Sequence, residues 1–349
     1  MGASLRDVAK RAGVSVKTVS NVVNDYAHVT DATRERVLRA IEELHYRPNT
    51  AARSLRKGRS GLIGLAVPEL GIPYFSELAG LIIGAAAERS WTVLVDQTNG
   101  VIEHELLVAE GIRSQLLDGL IFSPLAMGAE ELAQRRDETP LVLLGERVFD
   151  GPADHVAIDN VAAARDATAH LVSLGRRRIA AIGDQRHVPA RRTAHLRLAG
   201  YQQALGEAGL PYEEELVLPA DDYHRADGAE SMARLLALAE PPDAVLCFAD
   251  LLALGALRTL LAAGRRVPED VAVVGFDDIE DGRFSTPTLT TIRPDKQQIA
   301  ELAVSFLASR SQDGQDTPPR EVQARHDLVV RESTAGRPGL PPAATRARR

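Results

Sequence analysis

Apolar positions change their rhythm once along this chain. In the first fifty residues they recur three or four apart, the spacing of a buried helix stripe. Leu5, Val8 and Ala9 give the first stripe, with Ser4 before it and Asp7 three residues on, in capping-box order. Gly13 follows, where a tight turn needs the left-handed backbone. Ser15 is placed to cap a second helix over roughly 16–24. Thr30 is placed to cap a third over roughly 31–44, with Val37, Leu38, Ile41 and Leu44 expected inside. Pro48 closes this unit, and NTAARSLRKG (49–58) reads as one more short amphipathic helix ahead of Gly58.

From Gly61 onward, short β-branched runs alternate with helical patterns. GLIGLAV (61–67), WTVLVD (91–96), DGLIFS (118–123), PLVLLG (140–145), RIAAIG (178–183), DAVLCF (243–248) and DVAVVGF (270–276) read as strands. YFSELAGLIIGAAAER (74–89) reads as a helix between the first two. Such alternation predicts parallel sheet covered by helices. The repeats are too many for one small sheet. The expectation is therefore an α/β body of two doubly wound parallel-sheet subdomains, with a ligand cleft at the strand ends. The expected division is a helical head over 1–47, a hinge and linker over 48–60, the body over 61–333 and a disordered tail over 334–349.

Composition narrows the function classes. Hydrophobic residues at 45% and charged residues at 26% are ordinary for a soluble globular protein. No apolar run is long enough for a membrane span, and MGASLRDVAKR lacks a signal-peptide core. The single cysteine, Cys247, sits in the apolar run AVLCF, so it is expected to be a buried inert thiol. It excludes an internal disulfide and points to a reducing, cytoplasmic setting. Residues 1–60 hold 12 Lys and Arg against 6 Asp and Glu, a balance of +6. The rest holds 29 against 42, or −13, so only the head is suited to a polyanion. Nine histidines are scattered without metal-ligand spacing, and no HExxH, GxSxG or Walker-type loop is present. Asp277 and Asp278 are adjacent in a strand and so point to opposite faces, which does not make a catalytic pair. The reading is a binding protein, not an enzyme, with no cofactor and no metal.

Helix, glycine turn, helix is the helix-turn-helix pattern, whose second helix enters the major groove. On its outward face Lys17 can donate to guanine O6 and N7 or to phosphate, Asn21 can pair with an adenine edge, and Val16 can touch a thymine methyl. Ser15, Thr18, Thr30 and Thr33 are candidates for phosphate contacts at helix N-termini. By itself the pattern also fits a solvated or a protein-binding face.

The order LRDVAKRAGVSVKTVSNVVN, then VTDATRERVLRAIEELHYRPNTAARSL, resembles the head of the lactose-repressor (LacI) family, with three helices, YRPN and ARSL at family spacing. The resemblance continues to about residue 333. It implies operator DNA as partner, with contacts from Ser4, Ser15, Val16, Lys17, Thr18, Asn21, Asn24, His28, Thr30, Thr33, Tyr46, Asn49, Ala52, Leu55 and Arg56. It implies a hinge helix in NTAARSL, with Leu55 wedging between central base pairs to kink the duplex. The body resembles a periplasmic sugar-binding protein. RLAG implies effector-binding Arg197, and VVGFDD implies Asp277, a guanidinium fork and a carboxylate that can share adjacent sugar hydroxyls. Tyr74, Phe75 and Tyr223 are candidate ring-packing aromatics, and Ser123 ends a strand at the cleft. There are departures. Val16, Lys17 and Asn21 replace the founding member's Tyr, Gln and Arg. Ala249-Asp250 stands where many relatives have Asn-Asp, and Gly145 where many have aspartate, followed by Glu146 and Arg147. The implied function is a ligand-responsive repressor of sugar uptake or catabolism genes, with a sugar effector and a pseudo-palindromic operator. A nucleoside or other small metabolite is the alternative effector, and a soluble sugar-binding protein is the remaining alternative function, against which the attached head and the missing signal-peptide core argue. The tail holds no leucine heptad, so a homodimer is expected and not a tetramer.

Overall fold

The computed structural model describes residues 3–23, 26, 28–46, 60–111, 116–185, 192–313 and 317–336. Asn24 and the hinge candidates Asn49, Ala52, Leu55 and Arg56 lie outside the described residues. Contacts divide the chain into two units, Met1–Ser60 and Gly61–Arg349.

The head consists of α1 (Leu5–Ala12), α2 (Val16–Val23) and α3 (Asp31–Glu43). The Ser4 N–H donates to Asp7 Oδ2 at 2.8 Å, and Ser4 Oγ accepts the Asp7 N–H, completing the capping box. Gly13 has φ 65° and donates its N–H to Ala9 O. A Cβ at Gly13 would meet nothing within 4 Å, so the demand for glycine there is purely conformational. Ser15 Oγ accepts the Thr18 N–H at 3.0 Å and starts α2. Val8, Ala9, Ala12, Val19, Val22, Val37, Ala40 and Tyr46 form the core.

Two expectations for the head need correction. Leu38 is 51% exposed. Beside Val37 it lies a hundred degrees around the helix, and the inward stripe is Val37, Ala40, Ile41 and Leu44. Thr30 occupies the cap position of α3 but caps nothing: its hydroxyl donates to Thr33 Oγ1 at 2.9 Å.

Along the body run β1 (Leu62–Val67), α4 (Pro73–Ala87), β2 (Thr92–Gln97), α5 (Ile102–Ala109), β3 (Leu120–Phe122), α6 (Ala129–Ala133), β4 (Leu141–Leu144) and β5 (Asp154–Ile158). Then follow α7 (Asn160–Ser173), β6 (Ile179–Asp184), α8 (Arg192–Glu207), β7 (Val217–Pro219), α9 (Arg225–Leu236), β8 (Ala244–Cys247) and α10 (Asp250–Ala262). The series ends with β9 (Ala272–Phe276), α11 (Glu280–Phe284), β10 (Thr290–Pro294), α12 (Lys296–Asp313), β11 (Glu321–Ala324), β12 (His326–Val329) and α13 (Glu332–Ala335). One six-stranded sheet has the order β11-β5-β4-β3-β1-β2 and builds the first lobe, with every pairing parallel. The other has the order β12-β10-β9-β8-β6-β7 and builds the second lobe; only β12 runs antiparallel. The central strands are buried almost throughout, as parallel strands covered on both faces must be.

The chain crosses between lobes three times, at Asp159, at Asp295 and at Arg325. Two crossings are tied together. The Asp295 N–H donates to Arg325 O at 2.9 Å, and the Arg325 guanidinium reaches the Asp295 carboxylate at 2.8 Å.

The body does not stop at residue 333. Helix α13 spans Glu332–Ala335, with Ser333 and Thr334 buried. Ser333 Oγ donates to Val273 O at 2.6 Å and accepts the Thr290 N–H at 2.8 Å. These bonds stitch the segment to β9 and β10, so order extends into the expected tail.

Candidate functional site

In the head, Val19 and Val22 point inward and hold α2. Its other face is open: Val16 is 43% exposed, Lys17 is exposed, and Thr18 and Asn21 are half-buried. Ser4, Ser15, His28 and Thr30 are exposed, and Thr33 is half-buried. Ser15 spends its oxygen on capping α2 and hydrogen-bonding the Thr18 hydroxyl at 2.8 Å. Tyr46, grouped with the DNA-facing candidates, is 8% exposed and packs in the head's core. Its position just after α3, with its N–H donating to Ile41 O, folds the ring inward. The sequence reading passed over Tyr26, which is 55% exposed and meets the His28 ring edge-on at 5.6 Å.

In the body, strand order reverses between β1 and β3 in one sheet and between β6 and β8 in the other. Ligand crevices form outside the carboxyl ends of strands at such points. A cavity of about 200 Å³ lies there, lined by residues from both lobes. Pro68, Glu69, Ser123, Pro124 and Glu146 are among the lining residues that follow β1, β3 or β4 in the first lobe. Gln185, Asp221, Tyr223, Ala249 and Asp277 follow strands of the second lobe. All six effector candidates, Arg197, Asp277, Tyr74, Phe75, Ser123 and Tyr223, line this one cavity.

Arg197 sits within α8, 8% exposed. Its Nε donates to Asn160 Oδ1 at 2.7 Å, its Nη1 to the Phe248 carbonyl, and its guanidinium lies 3.5 Å over the Phe276 ring. Three fixed partners pre-set the plane of the fork. Asp277 follows β9 with φ 120°. Burial pushes its carboxyl up to about 6, against the pull of Arg197 and Lys296. Asp278 turns the other way, to Arg283 at 3.0 Å and Arg331 at 2.6 Å. Behind them Asp250 is fully buried, accepting the Thr291 hydroxyl at 2.6 Å and the Ile279 N–H at 2.9 Å. Burial first, and then the Asp277 charge, raise its pKa well above the usual carboxylate range. A Cβ on Gly275 would come within 2.1 Å of Asp250 Oδ1, so this carboxylate fits only over glycine.

The Tyr74 phenol is kept neutral chiefly by burial, and its ring meets Phe75 edge-on at 5.3 Å. Tyr223 donates its hydroxyl to Gly183 O at 2.6 Å. Ala249 precedes α10 with no side-chain cap. Reasoning from sequence missed Asn160, which orients Arg197, and Gln185, whose amide donates to the carbonyls of Ala220 and Asp221 at 2.8 and 2.6 Å. Strand-end position was the available signal for both. Among the described residues, side chains of the two lobes also meet beside the cavity. Thr193 donates to Glu146 Oε2 at 3.0 Å, and His224 Nε2 lies 3.7 Å from Glu69 Oε2. Among the described residues no three side chains form a metal-ligand group, and no helix is long and apolar enough to cross a membrane.

Comparison with known proteins places these features. Residues 4–49 match the model for bacterial regulatory proteins of the lacI family, and residues 168–334 match a periplasmic binding protein-like domain. The transcriptional regulator CelR of Thermobifida fusca is 38% identical over 339 residues, covering 95% of this chain and 98% of CelR. The lac repressor dimer bound to operator and the anti-inducer ONPF superposes with a TM-score of 0.83 at 30% identity, covering 96% of this chain and 99% of that one. A complex of CelR with cellobiose superposes with a TM-score of 0.68 at 35% identity, covering 95% of this chain and 99% of that one. With a matching head, a matching body and relatives aligned nearly end to end, this chain belongs to the lacI family of bacterial regulatory proteins.

Proposed function

We propose that this chain is a ligand-responsive transcriptional repressor that binds a pseudo-palindromic operator as a homodimer in the cytoplasm. One head covers only a half-site, so two-fold symmetry in the protein answers to two-fold symmetry in the DNA. The chain is a regulator and not an enzyme. Val16, Lys17 and Asn21 read base edges, and hydroxyls around α2 and α3 meet phosphates. The effector is a sugar held between the lobes. The observation that carries this reading is the convergence of Arg197, Asp277 and the Tyr74–Phe75 pair on one cavity lined from both lobes. A planar fork and a carboxylate beside aromatic rings are suited to a polyhydroxylated ring. Cellobiose in the CelR complex supports that class.

Ala249 and Gly145 favour a second effector class. Both line the cavity without a polar side chain, so a nucleoside or another small metabolite is accommodated where a fully hydroxylated sugar would lose partners. A thermal-shift panel of mono- and disaccharides and nucleosides tests both classes, since a specific ligand stabilises the folded state. Operator selection from random duplexes, repeated with the stabilising ligand, tests the coupling. A panel with no shift would overturn the effector reading. Duplexes recovered without a two-fold repeat would overturn the dimer on its operator.

A further inference from the structure

The turn that carries Asp277 is held from the opposite lobe. Residues 277–279 join β9 to α11, which opens at Glu280, in the second lobe. Lys296 opens α12, which packs on α4 and on β3, β4 and β5 of the first lobe; Glu77 lies on α4. Lys296 Nζ donates to Asp277 O at 2.9 Å and to Asp278 O at 3.1 Å, and pairs with Glu77 Oε2. Glu77 Oε1 accepts the Glu280 N–H at 3.0 Å. The lysine side chain is 9% exposed, and its three donors meet three oxygens, as a desolvated ammonium requires. Neither Glu77 nor Lys296 lines the cavity.

The held turn is unusual in itself. Asp277 and Asp278 have φ 120° and 49°, a region that non-glycine residues rarely adopt and keep only when their surroundings over-determine it. That backbone is what sends one carboxylate into the cavity and the next away from it, to Arg283 and Arg331.

We propose that Glu77 and Lys296 are positioning residues for the cleft: they make the aim of the Asp277 carboxylate depend on closure of the two lobes. This rests on the cleft being the effector site. When the lobes part, the first lobe carries Glu77 and Lys296 away. The Asp277 carbonyl and the Glu280 N–H then lose their partners, the Asp278 carbonyl keeps only Arg283, and the turn relaxes. Asp277 leaves the place where it faces Arg197. Ligand binding at Asp277 and lobe closure thereby become one equilibrium, which a ligand can shift because its contacts differ in the two states. The charged groups that face Asp277 are Arg197, Lys296, Glu146 and Asp250.

The test uses the full chain without ligand. Spin labels go on Ala129→Cys in the first lobe and Ala239→Cys in the second, both exposed positions. Cys247 is buried and its thiol is pushed up by burial, so it stays unlabelled. Pulsed electron resonance gives the lobe spacing for the parent, Lys296→Met and Glu77→Gln. Carboxyl carbon resonance, assigned with Asp277→Asn, gives the titration of Asp277 in the same proteins. The parent should show one dominant short spacing. Both variants should move at least half of the population to longer spacings, and Lys296→Met should raise the Asp277 midpoint above about 6, because a cation that favours the carboxylate is gone. Unchanged spacing in both variants overturns the proposal, even with a raised midpoint, because the pair is then only a local charge. If Lys296→Met fails to fold, Glu77→Gln decides alone. Cellobiose and ribose are added last. No response to either in any protein, parent included, counts against the effector reading and leaves the spacing result intact.

Discussion

The two binding surfaces are built on opposite plans. On α2 the residues that face outward, Val16, Lys17 and Asn21, are not the residues that hold the helix, Val19 and Val22. In the body, the side chains that line the cavity also hold the fold. Arg197 offers its fork to the cavity while its other nitrogens hold Asn160 and Phe248. Asp277 shares its neighbourhood with the fully buried Asp250. Substitution on the head should therefore change what is bound and spare the fold. Substitution in the cleft should disturb both.

That contrast is most exposed to failure at Gly275→Ala. A methyl group 2.1 Å from Asp250 Oδ1 and 2.9 Å from Leu289 Cδ2 must displace a buried carboxylate. Urea unfolding should show a loss of about 3 kcal/mol, the upper range for overpacking. Parental stability would mean that the cleft floor is looser than its contacts indicate. Arg197→Ala comes next. It leaves Asn160 Oδ1 and Phe248 O without their partner, at about 1–3 kcal/mol each, and removes the fork. Ligand-induced stabilisation should vanish, while operator affinity of the folded variant without ligand stays near the parent's. A folded Arg197→Ala protein that still responds fully to ligand would separate recognition from this residue.

On the head, Lys17→Ala and Asn21→Ala should each weaken discrimination at one operator position by about 1–3 kcal/mol. Their thermal stability should stay within about 0.5 kcal/mol of the parent, as for surface changes outside caps and cores. Competition binding against operators substituted at each base pair measures the first effect. An equal loss against every sequence would reassign both residues to phosphate contacts.

Asp277 gives a smaller and pH-dependent effect. Its folded pKa, about 6, lies above the ordinary value of 3.8. Between those values the folded body keeps a proton that the unfolded chain releases. The resulting destabilisation is absent in acid, grows as pH rises through that window, and is complete above about 6. Asp277→Asn removes it; the full shift corresponds to about 3 kcal/mol, and the half-buried position of Asp277 at the cavity cuts the expected gain to about 1–2 kcal/mol between pH 4 and 7. A stability difference that stays flat over that range would show that the carboxylate is better solvated than its setting suggests. Least affected should be Arg11→Ala, which breaks the exposed 2.6 Å pair with Glu43 at a cost within about 0.5 kcal/mol.

Much of this was legible before any coordinates. Ser4, Gly13 and Ser15 announce the head's first two helices because caps and left-handed turns are local chemistry. Long apolar runs announce the central strands because a parallel strand buries both faces. Three edge strands escaped, and so did the interior β5 and β10: β7 is three residues long, and the others carry Asp154, His155, Thr290, Arg293, Glu321, Gln323, His326 and Asp327 among few apolar positions. Leu38 was misplaced because one position around a helix reverses inside and outside. The partners of Asn160 and Lys296 were illegible for a different reason. Each acts on a residue far along the chain, Arg197 or Asp277, and only the fold brings them together.

The three crossings between lobes set the order in which the protein can be completed during synthesis. The head is closed once Tyr46 has emerged. Neither lobe is a continuous stretch of chain. The first lobe makes five strands early, yet waits for α12, with the buried Ala300, Val304 and Leu307, and for the edge strand β11. The second lobe waits for β12 and for the Ser333 bonds of α13. Both lobes are therefore finished by the same last forty or so residues, counted from Lys296 to Gly336. A chain that ends before them carries a finished head on a body in which neither sheet is complete, so the head is made long before the cleft that would govern it.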